Sequence, residues 1–113
     1  NTSIYADSGR GYTTTGEIKP DFVAPAVDVY GPGLRNNFIT FTGTSAAAAI
    51  TAGACAQIMQ WAIVDQNNTI MSHTSIKNML IRGTAKPENR TYPNREWGYG
   101  TLDVYGAFQN LRL

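Results

Sequence analysis

Ser45 stands where a run typical of a β-strand, FITFT at 38–42, gives way to small apolar residues, AAAAITAGA from 46. Gly43 permits a sharp turn because it has no Cβ, so a helix is predicted to begin near Ser45. Free backbone N–H groups and the positive end of the helix dipole converge at such a position. A hydroxyl there can attack a carbonyl group while its own N–H stabilises the oxyanion. The alternative is that Thr44 or Ser45 only caps the helix.

Four segments of the chain resemble segments of the subtilisin-like proteases, and they occur along the chain in the family's order. GTSAAAAITAG at 43–53 resembles the family's serine motif, Gly-Thr-Ser-x-Ala-x-Pro-x-x-Ala-Gly, with Ala49 where the family has proline. KPDFVAPA at 19–26 resembles its Lys-Pro-Asp-Ile-Val-Ala-Pro-Gly strand, with alanine in place of the last glycine. WGYGTLD at 97–103 resembles its Gly-x-Gly-x-Leu/Ile-Asn/Asp turn, and SGRG at 8–11 is similar to its Ser-x-Arg-Gly segment. The alanine-rich serine segment is also similar to that of subtilases from clostridia and related gut bacteria.

The resemblance implies an α/β fold, the C-terminal portion of a subtilisin-like fold with a parallel sheet and packed helices, incomplete in this chain. Residues 1–113 are then a C-terminal fragment of a catalytic domain. Ser45 takes the role of acyl-enzyme nucleophile and its N–H forms half of the oxyanion hole, while Gly43 and Thr44 shape the nucleophile turn. The family's triad aspartate and histidine precede its serine. We therefore expect both in an upstream part of the same protease, which would act on polypeptide substrates.

Other residues of the chain offer no convincing partner for Ser45. His73 follows the serine, and its segment MSHTS is typical of a helix start with Ser72 as the N-cap. Asp7 lies in ADSG, a composition typical of a surface turn. Cys55 is predicted to be a small core residue, because a reactive cysteine needs a partly exposed, glycine-flanked position. The sequence shows no metal-ligand set and no cofactor motif.

The composition and charge of the chain favour some classes of function over others. The chain has 113 residues, 42% of them hydrophobic, and a net charge of +1 without a basic run, so nucleic-acid binding is not indicated. Residues 46–64 are nearly long enough to span a bilayer. Polar residues such as Gln57 and Gln60 instead favour a buried central helix over about 45–65. Gly53, a glycine inside this helix, is expected where the helix packs closely against a neighbouring element. A membrane anchor is the alternative. The resemblance to bacterial subtilases, rather than the composition, implies an extracellular or cell- or spore-associated bacterial protein.

The remaining elements are predicted from spacing and breakers. Strands are expected at 22–24, 27–30 and 38–42, with a turn at 31–33. A helix beginning after Ser72 and ending at Gly83 should carry Ile76, Met79 and Leu80 on its apolar face, and a last helix capped by Asp103 should carry Val104, Phe108 and Leu111. If the upstream units are absent, the chain is expected to self-associate through the surface around 46–61.

A pseudoprotease, meaning a regulatory or binding protein on the same scaffold without turnover, is the rival interpretation. Ala49 supports it, because the family's proline enforces the turn after the nucleophile and alanine only tolerates it. Alanine is an excellent helix former, so we expect that turn to survive. Intact aspartate and histidine segments upstream would favour the protease, and substituted ones the pseudoprotease.

Overall fold

The computed structural model describes residues 3–87 and 89–111. Its elements follow one another as β1 (Val29–Pro32), β2 (Phe38–Phe41), α1 (Thr44–Met59), α2 (His73–Arg82) and α3 (Val104–Gln109). A π-helical segment, Gln60–Val64, continues α1 without a break. The predicted strand-to-helix junction is therefore present, with two residues between β2 and α1.

The two strands form an antiparallel hairpin in which Val29 faces Phe41 and Pro32 faces Phe38. The predicted turn at 31–33 is wrong, because Gly31 and Pro32 belong to β1. Proline is tolerated here since it is the last residue of a strand in a two-stranded sheet. The chain reverses instead over 33–37, where the Gly33 N–H donates to the Asn37 carbonyl at 2.6 Å.

The hydrophobic core lies between the three helices. It consists of Ala54, Ile58, Ile76, Met79, Leu80 and Ala107. The apolar face predicted for α2 is confirmed. The stripe predicted for the last helix needs correction, because α3 ends at Gln109 and Leu111, at 38% exposure, lies beyond it. The fully buried residue of α3 is Ala107, which is small enough to let this helix approach its neighbours closely.

The helix that carries Ser45 is mostly exposed within this chain. Only Ala54, Ile58 and Ala62 are buried along α1 and its π-helical continuation. A buried central helix was predicted for the complete domain, with part of it exposed in a chain that lacks the upstream units. In the described residues only one face of α1 meets other elements, as expected for such a chain. Thr44–Val64 is long and apolar enough to cross a membrane by length and composition, and 17% of its most apolar stretch is buried.

The caps of the two shorter helices agree with the sequence. Ser72 Oγ accepts a hydrogen bond from the Ser75 N–H at 3.2 Å, and Asp103 Oδ1 accepts one from the Gly106 N–H at 2.9 Å. Gly83 ends α2 as predicted. A side chain at Gly83 would overlap the backbone of Ala107, so this glycine allows α2 and α3 to pack closely.

The segments at 19–26 and 97–103 lie side by side. Val23 forms a parallel bridge with Thr101, closed by the Val23 N–H to the Gly100 carbonyl at 2.9 Å and the Leu102 N–H to the Val23 carbonyl at 2.7 Å. The strand predicted at 22–24 is reduced to this bridge. Asp21 pairs with Lys19 at 2.9 Å and with Lys77 of α2 at 3.3 Å. The hydrogen bond and charge of Asp21 raise the pKa of Lys19 above its usual value.

Candidate active site

Gly43 makes the turn between β2 and α1. Its φ of 143° and ψ of 164° lie in a region that side chains disfavour. The turn is held from both sides: the Gly43 N–H donates to the Ala26 carbonyl at 2.7 Å, and the Gly43 carbonyl accepts from the Ala46 N–H at 3.0 Å. Just upstream, Thr42 Oγ1 accepts from the Asp28 N–H at 3.0 Å. The turn before Ser45 is thus fixed to Ala26, the last residue of the 19–26 motif, and to Asp28 just after it.

Ser45 is the second residue of α1 and its side chain is exposed. The N-cap position belongs to Gly43, and α1 has no side-chain cap hydrogen bond, so neither Thr44 nor Ser45 acts as a cap. Among the described residues, neither the hydroxyl nor the N–H of Ser45 takes part in a hydrogen bond. The serine therefore presents a free hydroxyl next to a free N–H at the positive end of a 16-residue helix.

The substitution of alanine for proline at position 49 leaves the helix intact. Residues 44–59 form one continuous α-helix through Ala49, which is exposed. Two residues on, Thr51 Oγ1 donates to the Ala47 carbonyl at 2.9 Å within the same helix. The expectation that the turn survives without proline is confirmed.

The other polar candidates form no hydrogen bond with Ser45 within the described residues. His73 is the exposed first residue of α2, and Asp7 lies in an exposed turn closed by the Ser8 N–H to the Tyr5 carbonyl at 2.9 Å. Cys55 is a free, half-buried cysteine packed against the core, as predicted. No group of three or more potential metal ligands occurs within 3–87 and 89–111. Among the described residues, Ser45 therefore has no hydrogen-bonded base.

Comparison with known proteins assigns this arrangement to a family. Residues 1–100 match the Peptidase_S8 subtilase family. The chain belongs to the subtilase family. The Clostridium perfringens CspB protease has a solved structure that superposes on 97% of the chain with a TM-score of 0.89 and 34% identity. This similarity confirms the expected α/β subtilisin-like fold, of which this chain is a part.

Proteases from distant organisms share the same region. The chain is 31% identical over 111 residues to the mouse membrane-bound transcription factor site-1 protease, with 92% of the chain covered. It is 32% identical over 119 residues to serine protease AprX of Bacillus subtilis, with 93% covered. The chain spans only 10% of the mouse protein, 23% of AprX and 24% of the CspB chain. The chain therefore corresponds to a small part of the length of these relatives. That part includes the segment similar to the family's serine motif.

Proposed function

We propose that the protein containing this chain is a serine endopeptidase of subtilisin type, with Ser45 as its acyl-enzyme nucleophile. The observation that supports this most directly is the exposed Ser45 hydroxyl in the first turn of α1, free of any capping bond. A serine kept there only for helix stability would be expected to cap the helix. The protease names of the subtilase relatives support the same reaction class.

In the proposed reaction, Ser45 Oγ attacks the carbonyl carbon of a peptide bond and gives its proton to a histidine. That histidine and the aspartate that orients it belong to an upstream part of the same protease. The Ser45 N–H donates to the oxyanion of the tetrahedral intermediate. Collapse expels the amine, which takes the proton, and water then hydrolyses the acyl-enzyme to release the acid. Gly43 and Thr44 hold the turn, and no metal or cofactor takes part in these steps.

Replacing Ser45 with alanine in the full-length protein is the principal test. We expect Ser45→Ala to abolish peptide hydrolysis and fluorophosphonate labelling without changing the melting temperature, because this side chain caps and packs nothing. Removing the serine of subtilisin lowers kcat by about a millionfold, and a loss of this order is expected. Wild-type turnover in Ser45→Ala would overturn the assignment, and a wild-type protein without any turnover would favour the pseudoprotease.

The isolated chain should have no peptidase activity, because it holds the nucleophile without its base. Peptide turnover and fluorophosphonate labelling of residues 1–113 alone measure this directly. Strong labelling that Ser45→Ala removes would show that a base is present within this chain, and would contradict the expectation.

The proposal also covers the place of this chain in the whole enzyme, its partners and its location. Residues 1–113 are a C-terminal part of the catalytic domain, and the upstream part covers the open face of α1, so that α1 is a core helix rather than a membrane anchor. Polypeptides are the substrates and nucleic acids are not partners. We propose an extracellular or cell- or spore-associated position in a bacterium; the organisms of AprX and CspB, Bacillus subtilis and Clostridium perfringens, support the bacterial source. Solubility of the full-length protein without detergent tests the helix assignment.

A further inference from the structure

An open cavity of about 680 Å³ lies away from Ser45, between the segment around residues 10–12 and the loop at 90–97. Its lining consists of Arg10, Tyr12, Arg90, Thr91, Asn94, Arg95, Glu96 and Trp97. Three arginines and one glutamate give this lining a net charge of +2, whereas the whole chain carries +1. Positive charge is therefore concentrated here.

The two walls are fixed to each other by backbone contacts. The Gly11 N–H donates to the Arg95 carbonyl at 2.8 Å, and an N–H of the Arg95 guanidinium donates to the Gly11 carbonyl at 3.2 Å. Asn94 Oδ1 accepts from the N–H groups of Glu96 and Trp97 at 3.1 and 2.8 Å. The loop that carries the charged side chains is thus shaped before any ligand arrives.

Two of the guanidinium groups are stacked on aromatic rings. Arg90 Cζ lies 4.5 Å from the centroid of the Trp97 ring, and Arg95 Cζ lies 4.6 Å from that of Tyr12. Stacking uses the face of a guanidinium and leaves its N–H edge available for hydrogen bonds. Both arginines are exposed in this chain, so the N–H groups of Arg90 are accessible from solvent, as are those of Arg95 other than the one that donates to the Gly11 carbonyl. Planar, oriented guanidinium groups match the bidentate geometry of carboxylate and phosphate.

The third arginine, Arg10, is paired with Glu96, the only carboxylate among the described residues of the lining. Arg10 Nε donates to Glu96 Oε2 at 3.2 Å, and Arg10 Nη1 donates to the Ala6 and Ser8 carbonyls at 3.2 and 3.0 Å, so the ion pair is one of several contacts that hold this side chain. Such a pair contributes little by itself, and an incoming anion competes with Glu96 for Arg10. Glu96 therefore sets how strongly the cavity attracts negative charge.

We propose that this cavity binds an oxyanion, a carboxylate or phosphate group, through Arg90 and Arg95 with Arg10 as an adjustable third contact. The group is carried either by an acidic polypeptide segment or by a free anion. The site is separate from the Ser45 chemistry, so the inference stands or falls independently of the proposed protease activity.

Direct binding measurements on full-length Ser45→Ala protein test the proposal. The probes are inorganic phosphate, followed by calorimetry, and a fluorescein-labelled hexaglutamate peptide, followed by anisotropy at low salt. We expect saturable binding of at least one probe with a Kd of about 1 mM or tighter. Binding of phosphate alone identifies a free anion, binding of the peptide alone identifies an acidic segment, and binding of both identifies the shared oxyanion chemistry.

Variants distinguish specific binding in the cavity from non-specific attraction to a cationic surface. Arg90→Gln should weaken binding about tenfold or more through loss of a charge-assisted hydrogen bond. Arg90→Lys should fall between Arg90→Gln and the parent, because it keeps the charge but not the planar fork. Glu96→Gln should tighten binding at least about twofold, because it removes a negative charge from the lining. The matched control, Arg35→Gln, removes an exposed arginine from the hairpin turn outside the cavity and should have no effect.

Two results would overturn the proposal. One is the absence of saturable binding by either probe in protein whose melting temperature shows that it is folded. The other is equal weakening by Arg35→Gln and Arg90→Gln, because binding would then depend on net charge and not on the cavity.

Discussion

Two serines at helix starts perform different tasks in this chain. Ser72 caps α2 through its hydrogen bond from the Ser75 N–H, whereas Ser45 lies one position inside α1 and caps nothing. A cap-forming serine contributes stability, and a serine without partners is available for chemistry. The distinction lies in position relative to the helix start, because Ser72 immediately precedes α2 whereas Ser45 is the second residue of α1.

This difference predicts opposite effects for the same substitution. Ser72→Ala in the full-length protein should lower the free energy of unfolding by about 1 kcal/mol through loss of the cap and leave peptide turnover unchanged. It is the matched control for Ser45→Ala, which should abolish turnover and leave stability unchanged. Urea unfolding and peptide hydrolysis measured on both variants check the pair. Loss of stability in Ser45→Ala would indicate a structural role instead.

Gly43 is the residue on which the position of Ser45 depends. Its φ of 143° is disfavoured for any residue with a side chain, so Gly43→Ala carries a backbone strain of about 1–3 kcal/mol. We expect the turn to relax and displace the Ser45 hydroxyl, which lowers kcat more than it raises KM. Steady-state kinetics of the full-length variant measure this. Unchanged kcat would show that the turn tolerates a side chain.

At the scale of elements, the glycine that matters for packing is Gly83 and not Gly53. A Cβ at Gly53 has no atom within 4 Å among the described residues, so the close contact predicted there is wrong for this part of the chain. A Cβ at Gly83 would overlap the backbone of α3 at Ala107. Since the φ of Gly83 is −88°, alanine is allowed by the backbone and its cost there is steric alone.

Alanine substitutions at both glycines make this testable. Gly83→Ala should destabilise the full-length protein by about 1–3 kcal/mol through overpacking against α3. In the isolated chain, Gly53→Ala should be neutral or stabilising by up to about 1 kcal/mol, because alanine favours the helix and no atom of the described residues meets its Cβ. Denaturant midpoints of the two variants give the comparison. An unchanged midpoint in Gly83→Ala would refute the close packing of α2 on α3.

What the sequence predicted correctly depends on local chemistry. The caps at Ser72 and Asp103 and the helix start after Gly43 need only residues a few positions apart. The features that were missed need distant partners. The strand predicted at 22–24 is only a bridge, and its partner lies far along the chain at 99–102, where no local pattern points to it. The burial of α1 likewise depends on which segments lie against it. The arginine cavity joins residues more than eighty positions apart, and no spacing rule brings Tyr12 under Arg95.

For the whole molecule, the decisive property is the amount of apolar surface that the chain leaves open. Large apolar side chains are exposed on the helix that carries Ser45 and on the hairpin before it: Met59, Ile63 and Val64 on the helix, and Tyr30, Leu34, Phe38 and Ile39 on the hairpin. Monomeric soluble proteins rarely leave such contiguous surface uncovered. In the proposed full-length enzyme the upstream part of the domain covers it.

The isolated chain must cover the same surface by another route, and we expect it to self-associate through the face of α1 around 46–61. Burying this face of one chain against another removes apolar area from water on both, the main driving force for association. Sedimentation equilibrium at micromolar concentration should show dimers or larger species. Met59→Lys, on the exposed part of α1, should weaken association, whereas Ile70→Lys, at a residue that is 90% exposed outside the helix, should not. A monomer that unfolds cooperatively would show that this chain is stable with the face of α1 open, and that no partner is needed to cover it.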